Sequence, residues 1–554
     1  MIVKGESGDR YPWEPLTIAQ LLQRAAQEHG DREAIVAPGV RMTWAETEAA
    51  SRRVAKAMMA AGLQRGDHVA LWCPNTVEWV LTWFAAAHVG AVIVTVNTRY
   101  KTEEVRYIVH QSDARLLVMV GEFVGIDYLG MLDRLCPDLA GEGPPNAEGF
   151  PELERVVVHG DRVPDGTQGW DAFVAAGEAI GDAELDARRD EGAYDEPTII
   201  VYTSGTTGHP KGAVHSHVIL RNECSISETM DLDVDCRIMN HMPFFHVAGG
   251  FTGILPPLIT GGAMLLMDRW DPTAALELIQ AERATVMSGI PTHFIDLINH
   301  PRLGDFDLST LRSGWIGGAS NPREVIDAVI TKLGIANLLP VYGMTETTSV
   351  TTSPRPGDPR EIIYRGVGLP VSDFEVTLVS PDSGQQLGPG VEGEVCVRGH
   401  LLMQGYYKNP EATAKVIDAD GWFHTGDLGV FDEQGYLAIT GRMSDMFIVG
   451  GSNAYPAEIE AALAEHPAVR QAYVVGIPDE RLGEVGLAFI EAREGAEVDS
   501  AALRAFCKDR LANYKIPATF VFVDEWPMTA TGKIQRFVLR EQALEVAGAP
   551  QAGA

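Results

Sequence analysis

Apolar positions along the chain first fall at helical spacing and then, from His68 onward, in short continuous runs separated by helical segments. TIAQLLQRAAQEHG from Thr17 puts Leu21, Leu22 and Ala25 on one face of a helix that Gly30 stops. Residues 42–60 predict a second helix, capped by Thr43 and carrying Ala49, Val54 and Met58 on its apolar side. The runs HVALWC from His68, AVIVTV from Ala91, RLLVMV from Arg115 and RVVVH from Arg155 are apolar on both faces, which predicts strands of a buried, largely parallel sheet with helices between them. The most apolar stretch, 80–96, contains His88 and Gly90 and reads as a helix followed by a strand, not as a membrane span.

Residues 140–195 are rich in Gly, Pro, Asp and Glu and read as an irregular, solvated connection. Beyond it the βα rhythm resumes. RIMNHMPFFHVAGGFTGIL from Arg237 predicts a strand, a turn at His246 and an apolar helix from about Val247; Asp271-Pro272 caps TAALELIQAE, and ATVMSGIP from Ala284 is the next strand. LRSGWIGGAS and NLLPVYGMTE each end in small or polar residues, where strands of such sheets open onto a ligand crevice. After Pro354, short Gly-punctuated runs (FEVTLVS, GEVCVRG, GYLAITG) suggest a β subdomain, and the last hundred or so residues suit a small α+β unit. The expected class is α/β: a large N-terminal domain over 1–443, built of βαβ layers with a β subdomain, and a small mobile α+β domain over 444–554. The Ala/Gly-rich tail after Val546 reads as disordered.

Length and charge narrow the function classes. A chain of 554 residues exceeds one compact core, and a net charge of −32 repels nucleic acid and anionic membrane. Cysteines at 73, 136, 224, 236, 396 and 507 are scattered without C-x-x-C, which argues against a disulfide framework or metal site and fits a reducing cytoplasm. The N-terminus lacks a signal pattern, and no segment reads as an integral membrane span.

YTSGTTGHPKG, from Tyr202 to Gly212, carries the densest candidate chemistry. Glycines let backbone N–H groups turn toward an anion, hydroxyls add rotatable donors, and Lys211 supplies a point charge, so the stretch reads as a polyphosphate cradle. It is not the P-loop of a kinase or ATPase, because Gly212 stands where that motif needs Ser or Thr after the lysine. No G-x-S-x-G elbow marks a serine hydrolase.

Five further clusters accompany it: GGAS at 317–320, YGMTE at 342–346, HTGDLG at 424–429, GRMSDMFIVGGSNAYPAEIE at 441–460 and PMTATGKIQR at 527–536. Together the six resemble the adenylate-forming superfamily of acyl-CoA synthetases, luciferases and peptide-synthetase adenylation domains, over nearly the whole chain and in the family's order. The resemblance implies a reaction in which a carboxylate attacks the α-phosphate of ATP, where cations and oriented donors offset the repulsion of like charges. It implies that Thr203, Ser204, Gly205, Thr206, Thr207, Gly208 and Lys211 hold the β- and γ-phosphates, and that Glu346 holds Mg²⁺ with Thr345 beside the α-phosphate. Gly318, Ala319, Ser320, Tyr342, Gly343 and Met344 match nucleotide-binding positions, Tyr342 offering a face to adenine; Asp427 matches the ribose acceptor with Arg442 as its partner, and Lys533 the catalytic lysine.

The same resemblance implies a second step, transfer of the acyl group to coenzyme A. The C-terminal domain would rotate about 441–445 to withdraw Lys533 and present Gly450 and Gly451 to the thiol arm. Ser444 departs from the Asp or Lys usual at the hinge, which puts in doubt the ionic contacts that bias the two states, and Ala454 replaces a larger aliphatic residue. The expected acyl wall is His246, Val247, Gly249, Gly250, Phe251, Trp315, Ile316 and Gly317, with Met344 beside it. The paired glycines leave space there, and no Lys or Arg offers a counter-ion, which favours a hydrophobic monocarboxylic acid: a medium or long fatty acid, or a bulky cyclic acid. An aromatic acid is the alternative, and a non-CoA adenylating enzyme or a plain nucleotide-binding protein ranks lower. A peptide-synthetase module would continue into a carrier domain, whereas this sequence stops soon after PMTATGKIQR, so free coenzyme A is the expected acceptor. A homodimer is compatible with this reading.

Overall fold

Strands and helices alternate through the first 341 residues and build two mainly parallel sheets. The computed structural model describes all residues except 7, 9, 138, 140–148, 204–208, 320, 451, 529–533 and 549–554. One sheet has eight strands in the order Gln168–Gly169, Arg155–His159, Ala114–Val120, His68–Trp72, Val92–Thr95, Pro197–Thr203, Lys211–Ser216 and Gly405–Tyr406; only the last two pairings are antiparallel. The other has seven: Asn337–Val341, Ser313–Gly317, Val286–Met287, Arg237–Asn240, Ala263–Leu266, Glu33–Ala37 and Val40–Thr43, parallel except for the final hairpin.

Helices Val77–Val89 and Val247–Thr260 are buried almost all round, and one continuous apolar cluster runs from them into strands of both sheets. A helix with no polar face is what such a position requires, and it accounts for the apolar 80–96 stretch: Gly90 ends the helix in the left-handed region (φ 73°) and the strand follows. None of the described helices is long and apolar enough to cross a membrane.

Capping follows the sequence closely. Thr17 and Thr43 each accept an N–H bond from the third helical residue, and the side-chain oxygens of Gln20 and Glu46 accept from the cap backbone N–H, closing capping boxes on Ile18–Glu28 and Trp44–Ala60. Asp271 caps Pro272–Glu282 in the same manner through Ala274 N–H. Two details differ from expectation. Ala49 is exposed, because the buried stripe of its helix runs through Trp44, Thr47, Ala50, Val54 and Met58. The 140–195 connection is largely ordered beyond 148: Trp170–Ala176 and Asp182–Asp190 are helices, pinned by buried Phe173, Leu185 and Arg189.

The β subdomain is a five-stranded antiparallel sheet, Ile2–Lys4, Glu375–Val379, Gly393–Arg398, Phe423–Phe431 and Leu437–Arg442. Its first strand comes from the N-terminus, which carries too short an apolar pattern to announce a strand. The C-terminal unit has its own sheet and core. Val469–Asp479 and Gly483–Ala492 form a long hairpin flanked by Thr519–Phe522 and the Phe447–Val449/Ser452–Ala454 hairpin, with Pro456–Ala464 and Ser500–Lys508 packed on it. The chain is thus mixed α/β, with a large N-terminal and a small C-terminal part. Its tail continues as the helix Arg536–Gly548, and the remainder of the predicted disordered tail lies outside the described residues.

Candidate functional site

Pro197–Thr203 and Lys211–Ser216 are antiparallel partners with Thr203 opposite Lys211, so 204–210 is the loop of a hairpin. In the sequence, Lys211 and Gly212 read as part of the cradle, and the returning strand Lys211–Ser216 is not identified. Thr203 Oγ1 donates to Lys211 O at 3.4 Å, and His209 stacks on Tyr107 with ring centroids 4.3 Å apart, so both flanks of the loop are fixed. Ser204, Gly205, Thr206, Thr207 and Gly208 themselves lie outside the described residues.

Lys211 Nζ stands 5.1 Å from the centroid of the Tyr406 ring, and Tyr406 Oη donates to Glu346 Oε1 at 2.7 Å. A residue that sequence reading missed therefore joins the lysine of one motif to the acid of another. Tyr406 belongs to the edge strand that pairs with Lys211–Ser216, Ala213 being opposite it. The signal available was the Gly-Tyr-Tyr run after MQ, which is rich in β-formers. Burial, then the Glu346 carboxylate, hold the Tyr406 hydroxyl well above its usual range, so it remains a donor.

Glu346 sits in a loop whose shape is heavily specified. Tyr342 N–H donates to Thr352 O at 3.2 Å and Thr351 N–H to Tyr342 O at 2.7 Å, closing the loop at its base. A Cβ on Gly343 would lie 2.0 Å from Ser349 O, and Thr348 is held in the left-handed region at φ 71° with its hydroxyl donating to Leu401 O. Beneath, Ser349 Oγ donates to Glu223 Oε1 at 2.7 Å; burial pushes the Glu223 carboxyl up to about 8. Thr345 is buried, and the backbone there meets His215, whose imidazole burial pulls down to about 4.

A second constellation lies at the other end of this loop. Tyr342 Oη donates to Asp427 Oδ2 at 2.8 Å, and Arg442 Nε lies 3.0 Å from Asp427 Oδ1. Asp427 and Arg442 are Cα partners on adjacent strands. Burial, then the Asp427 carboxylate, push the Tyr342 hydroxyl well above its ordinary range. Gly318 turns at φ 78° at the end of Ser313–Gly317; it and Ala319 are exposed, whereas Ser320 is outside the described residues. Met344 packs beside Tyr406, Met403 and Phe423.

The expected acyl wall divides. His246 is half-buried and caps Val247–Thr260, its Nδ1 accepting from Ala248 N–H at 3.3 Å. Trp315 shares a cluster with Met242, Ile290, Leu339 and Tyr342. Ile316, one residue on, points to the other face of its strand and lies in the core with Met239, Leu265 and Val329. Val247 and Phe251 are likewise core residues; Phe251 stacks on Trp83 at 5.9 Å. A Cβ on Gly317 would meet Val341 Cγ2 at 2.8 Å.

Gly249 and Gly250 correct the expectation that they leave room for a substrate. A Cβ would stand 2.2 Å from Pro243 O at Gly249 and 2.7 Å from Phe244 O at Gly250. The space is filled by backbone. Gly249→Ala should therefore destabilise the fold by about 1–3 kcal/mol, as overpacking does, and lower the midpoint of thermal unfolding. An unchanged midpoint with altered acid selectivity would return Gly249 to the pocket.

Gly450 is exposed and follows the strand Phe447–Val449 at φ 58°, its N–H donating to Leu482 O at 2.7 Å; Gly451 and Lys533 lie outside the described residues. Ser444 Oγ donates to Asp445 Oδ1 at 3.3 Å, and Asp445 Oδ2 lies 3.4 Å from Arg536 Nε. An ionic contact is thus present at the residue after Ser444.

Residues 22–407 match the sequence model of a family described as AMP-binding enzyme, and 458–533 that of the AMP-binding enzyme C-terminal domain. A Bacillus subtilis (strain 168) protein named as an acyl-CoA synthetase, YngI, is 41% identical over 537 residues, 96% of this chain and 97% of its own length. The 3-[(3aS,4S,7aS)-7a-methyl-1,5-dioxo-octahydro-1H-inden-4-yl]propanoyl:CoA ligase of Mycobacterium tuberculosis is 38% identical over 526 residues, 95% of this chain and 98% of its own. Among solved structures, the anthranilate CoA ligase AuaEII in complex with anthranoyl-AMP superposes with a TM-score of 0.86 at 26% identity, covering 97% of this chain and 98% of that one.

Proposed function

The chain belongs to the AMP-binding enzyme family, and from that membership we propose that it is an AMP-forming acid:CoA ligase acting on a hydrophobic monocarboxylic acid. The observation that carries this reading is the pair of linked contacts, Lys211–Tyr406–Glu346 and Tyr342–Asp427–Arg442, at the two ends of one closed loop. Polyphosphate chemistry fits the first set and nucleoside recognition the second.

In this reading a carboxylate oxygen of the acid attacks the α-phosphorus of ATP, the bond to the bridging oxygen breaks, and pyrophosphate leaves with the electron pair. Thr203, the 204–208 loop and Lys211 hold the leaving group, with Tyr406 orienting Glu346. The Glu346 carboxylate, which accepts from the Tyr406 hydroxyl, would hold Mg²⁺, and the ion would supply charge neutralisation on the phosphates. Asp427 accepts the ribose hydroxyls, and Lys533 bridges carboxylate and α-phosphate. In the second step the coenzyme A sulfur attacks the acyl carbon, the bond to AMP breaks, and the thiol proton passes to solvent.

The cyclic propanoyl ligase among the relatives supports a bulky cyclic acid, and the acyl-CoA synthetase supports an acyl substrate without naming its chain. An aromatic acid is the second reading, favoured by the likeness to the anthranilate ligase. A panel of fatty, cyclic and aromatic acids, each with ATP, Mg²⁺ and coenzyme A, decides between them. Pyrophosphate release and thioester formation are expected with the fatty or cyclic acids; turnover confined to aromatic acids would select the second reading, and absence of pyrophosphate release from every acid would overturn both.

A further inference from the structure

Glu394 and Cys396 are alternate residues of Gly393–Arg398, and both side chains leave the sheet on the face opposite the core residues Val395 and Val397. His424 is the Cα partner of Cys396 on the neighbouring strand. Cys396 Sγ lies 3.5 Å from His424 Nδ1, Glu394 Oε2 lies 2.8 Å from that same nitrogen, and the three ligand atoms are all within 4.8 Å of one another. Across the ring, Asp418 Oδ2 is 3.5 Å from His424 Nε2. We propose that Cys396, His424 and Glu394 form a binding site for a zinc-class divalent cation, with Asp418 orienting the imidazole and a fourth coordination position open.

The donor set of thiolate, imidazole and carboxylate is that of a borderline-soft ion, unlike the all-oxygen set at Glu346. Bonds of about 2.3 Å to sulfur and about 2.05 Å to nitrogen at a tetrahedral angle place those two atoms about 3.5 Å apart, the separation found here. The corresponding nitrogen-to-oxygen separation is about 3.4 Å. Glu394 Oε2 therefore retreats from 2.8 Å by about 0.6 Å, exchanging its contact with the ring for the ion. A carboxylate on the other ring nitrogen is the usual outer partner of a metal-bound histidine, and Asp418 has that position.

A plain ion pair between His424 and its two carboxylates explains Glu394 and Asp418. It leaves unexplained a buried thiol turned to the same nitrogen.

Occupancy has a route to the nucleotide site. Glu394 Oε1 accepts from Gly426 N–H at 3.1 Å, Gly426 is bent at φ 72°, and the next residue is Asp427. Drawing Glu394 onto an ion loosens this bend, so the cation inhibits by weakening ATP binding. This inhibitory arm rests on the proposed role of Asp427; the binding arm does not.

The test is titration of the reduced, chelator-treated full chain with Co²⁺. A thiolate-to-cobalt charge-transfer band with tetrahedral d–d bands is expected, saturating at a single ion per chain and abolished by Zn²⁺. Cys396→Ser should lose the charge-transfer band although the other five cysteines remain, and His424→Gln should bind Co²⁺ at least about tenfold more weakly. Zn²⁺ should raise KM for ATP in the wild type and not in Cys396→Ser. Absence of a band in the wild type, or a band undiminished in Cys396→Ser, overturns the site; if that variant does not fold, an undiminished band in folded His424→Gln or Glu394→Gln overturns it equally. A band without a change in KM overturns the inhibitory arm alone.

Discussion

Lys533→Ala should slow formation of the acyl-adenylate by about 10²–10³-fold, the loss typical of removing one donor aimed at charge that develops in the transition state. Transfer from a supplied acyl-adenylate to coenzyme A should largely persist. The asymmetry follows if the lysine acts in the first step and is withdrawn for the second. Lys533 is outside the described residues, but its flanks are fixed: Met528 and Ile534 form a bridge, and Gln535 N–H donates to Pro527 O at 2.8 Å. Arg536 then anchors the segment, at 2.9 Å from Glu460 and 3.4 Å from Asp445, with its guanidinium over the Tyr473 ring. Glu460 and Tyr473 belong to the C-terminal unit, so Arg536, three residues after the lysine, is tethered to that unit and would travel with it in the proposed rotation. Pyrophosphate release and single-turnover thioester formation, measured separately, check the prediction. Equal loss in both would count against alternation between two domain positions.

The parallel sheets were legible because their signal is local: HVALWC, AVIVTV and RLLVMV are apolar on both faces, and the structure buries them on both faces. Caps at Thr17, Thr43 and Asp271 were legible for the same reason, since donor and acceptor lie three residues apart. What failed depended on how the chain packs in three dimensions. Gly249 and Gly250 signal small volume equally well whether a ligand or a neighbouring backbone fills it, and only the position of Pro243 and Phe244 decides. Ile316 and Trp315 are adjacent in sequence and opposite in the sheet, so a run of pocket candidates read straight along a strand must include residues on the wrong side. Tyr406 carried no motif of its own; its link to Glu346 spans 60 residues and exists because an edge strand returns beside Lys211. Cys396 and His424 likewise face each other through cross-strand register, which leaves no spacing signal in the chain.

Asp427→Ala should raise KM for ATP and lower kcat/KM for ATP by about 10²-fold or more, because hydrogen bonds to a charged acceptor contribute about 1.5–3 kcal/mol each and the proposed ribose role gives this carboxylate two of them. Asp427 is buried, and both of its oxygens are engaged: Oδ2 by the Tyr342 hydroxyl at 2.8 Å and Oδ1 by Arg442 at 3.0 Å. Truncation leaves that hydroxyl buried without its acceptor and Arg442, which precedes the turn Met443–Asp445 and lies within the proposed 441–445 hinge, without its carboxylate. Asp427→Asn separates the two contributions. The amide oxygen can still accept from Tyr342 while the charge that holds Arg442 is gone, so the asparagine variant should retain more ATP affinity than the alanine variant. If the ribose reading is right, both should discriminate less between ATP and 2′,3′-dideoxy-ATP than the wild type does, since the analogue lacks the hydroxyls that the carboxylate would accept. Undiminished discrimination in Asp427→Ala would confine Asp427 to bracing Tyr342 and Arg442 and would move ribose recognition elsewhere. Thermal unfolding of both variants supplies the control: a fall in ATP affinity accompanied by an unchanged unfolding midpoint assigns the loss to the nucleotide site and not to the sheet that carries it.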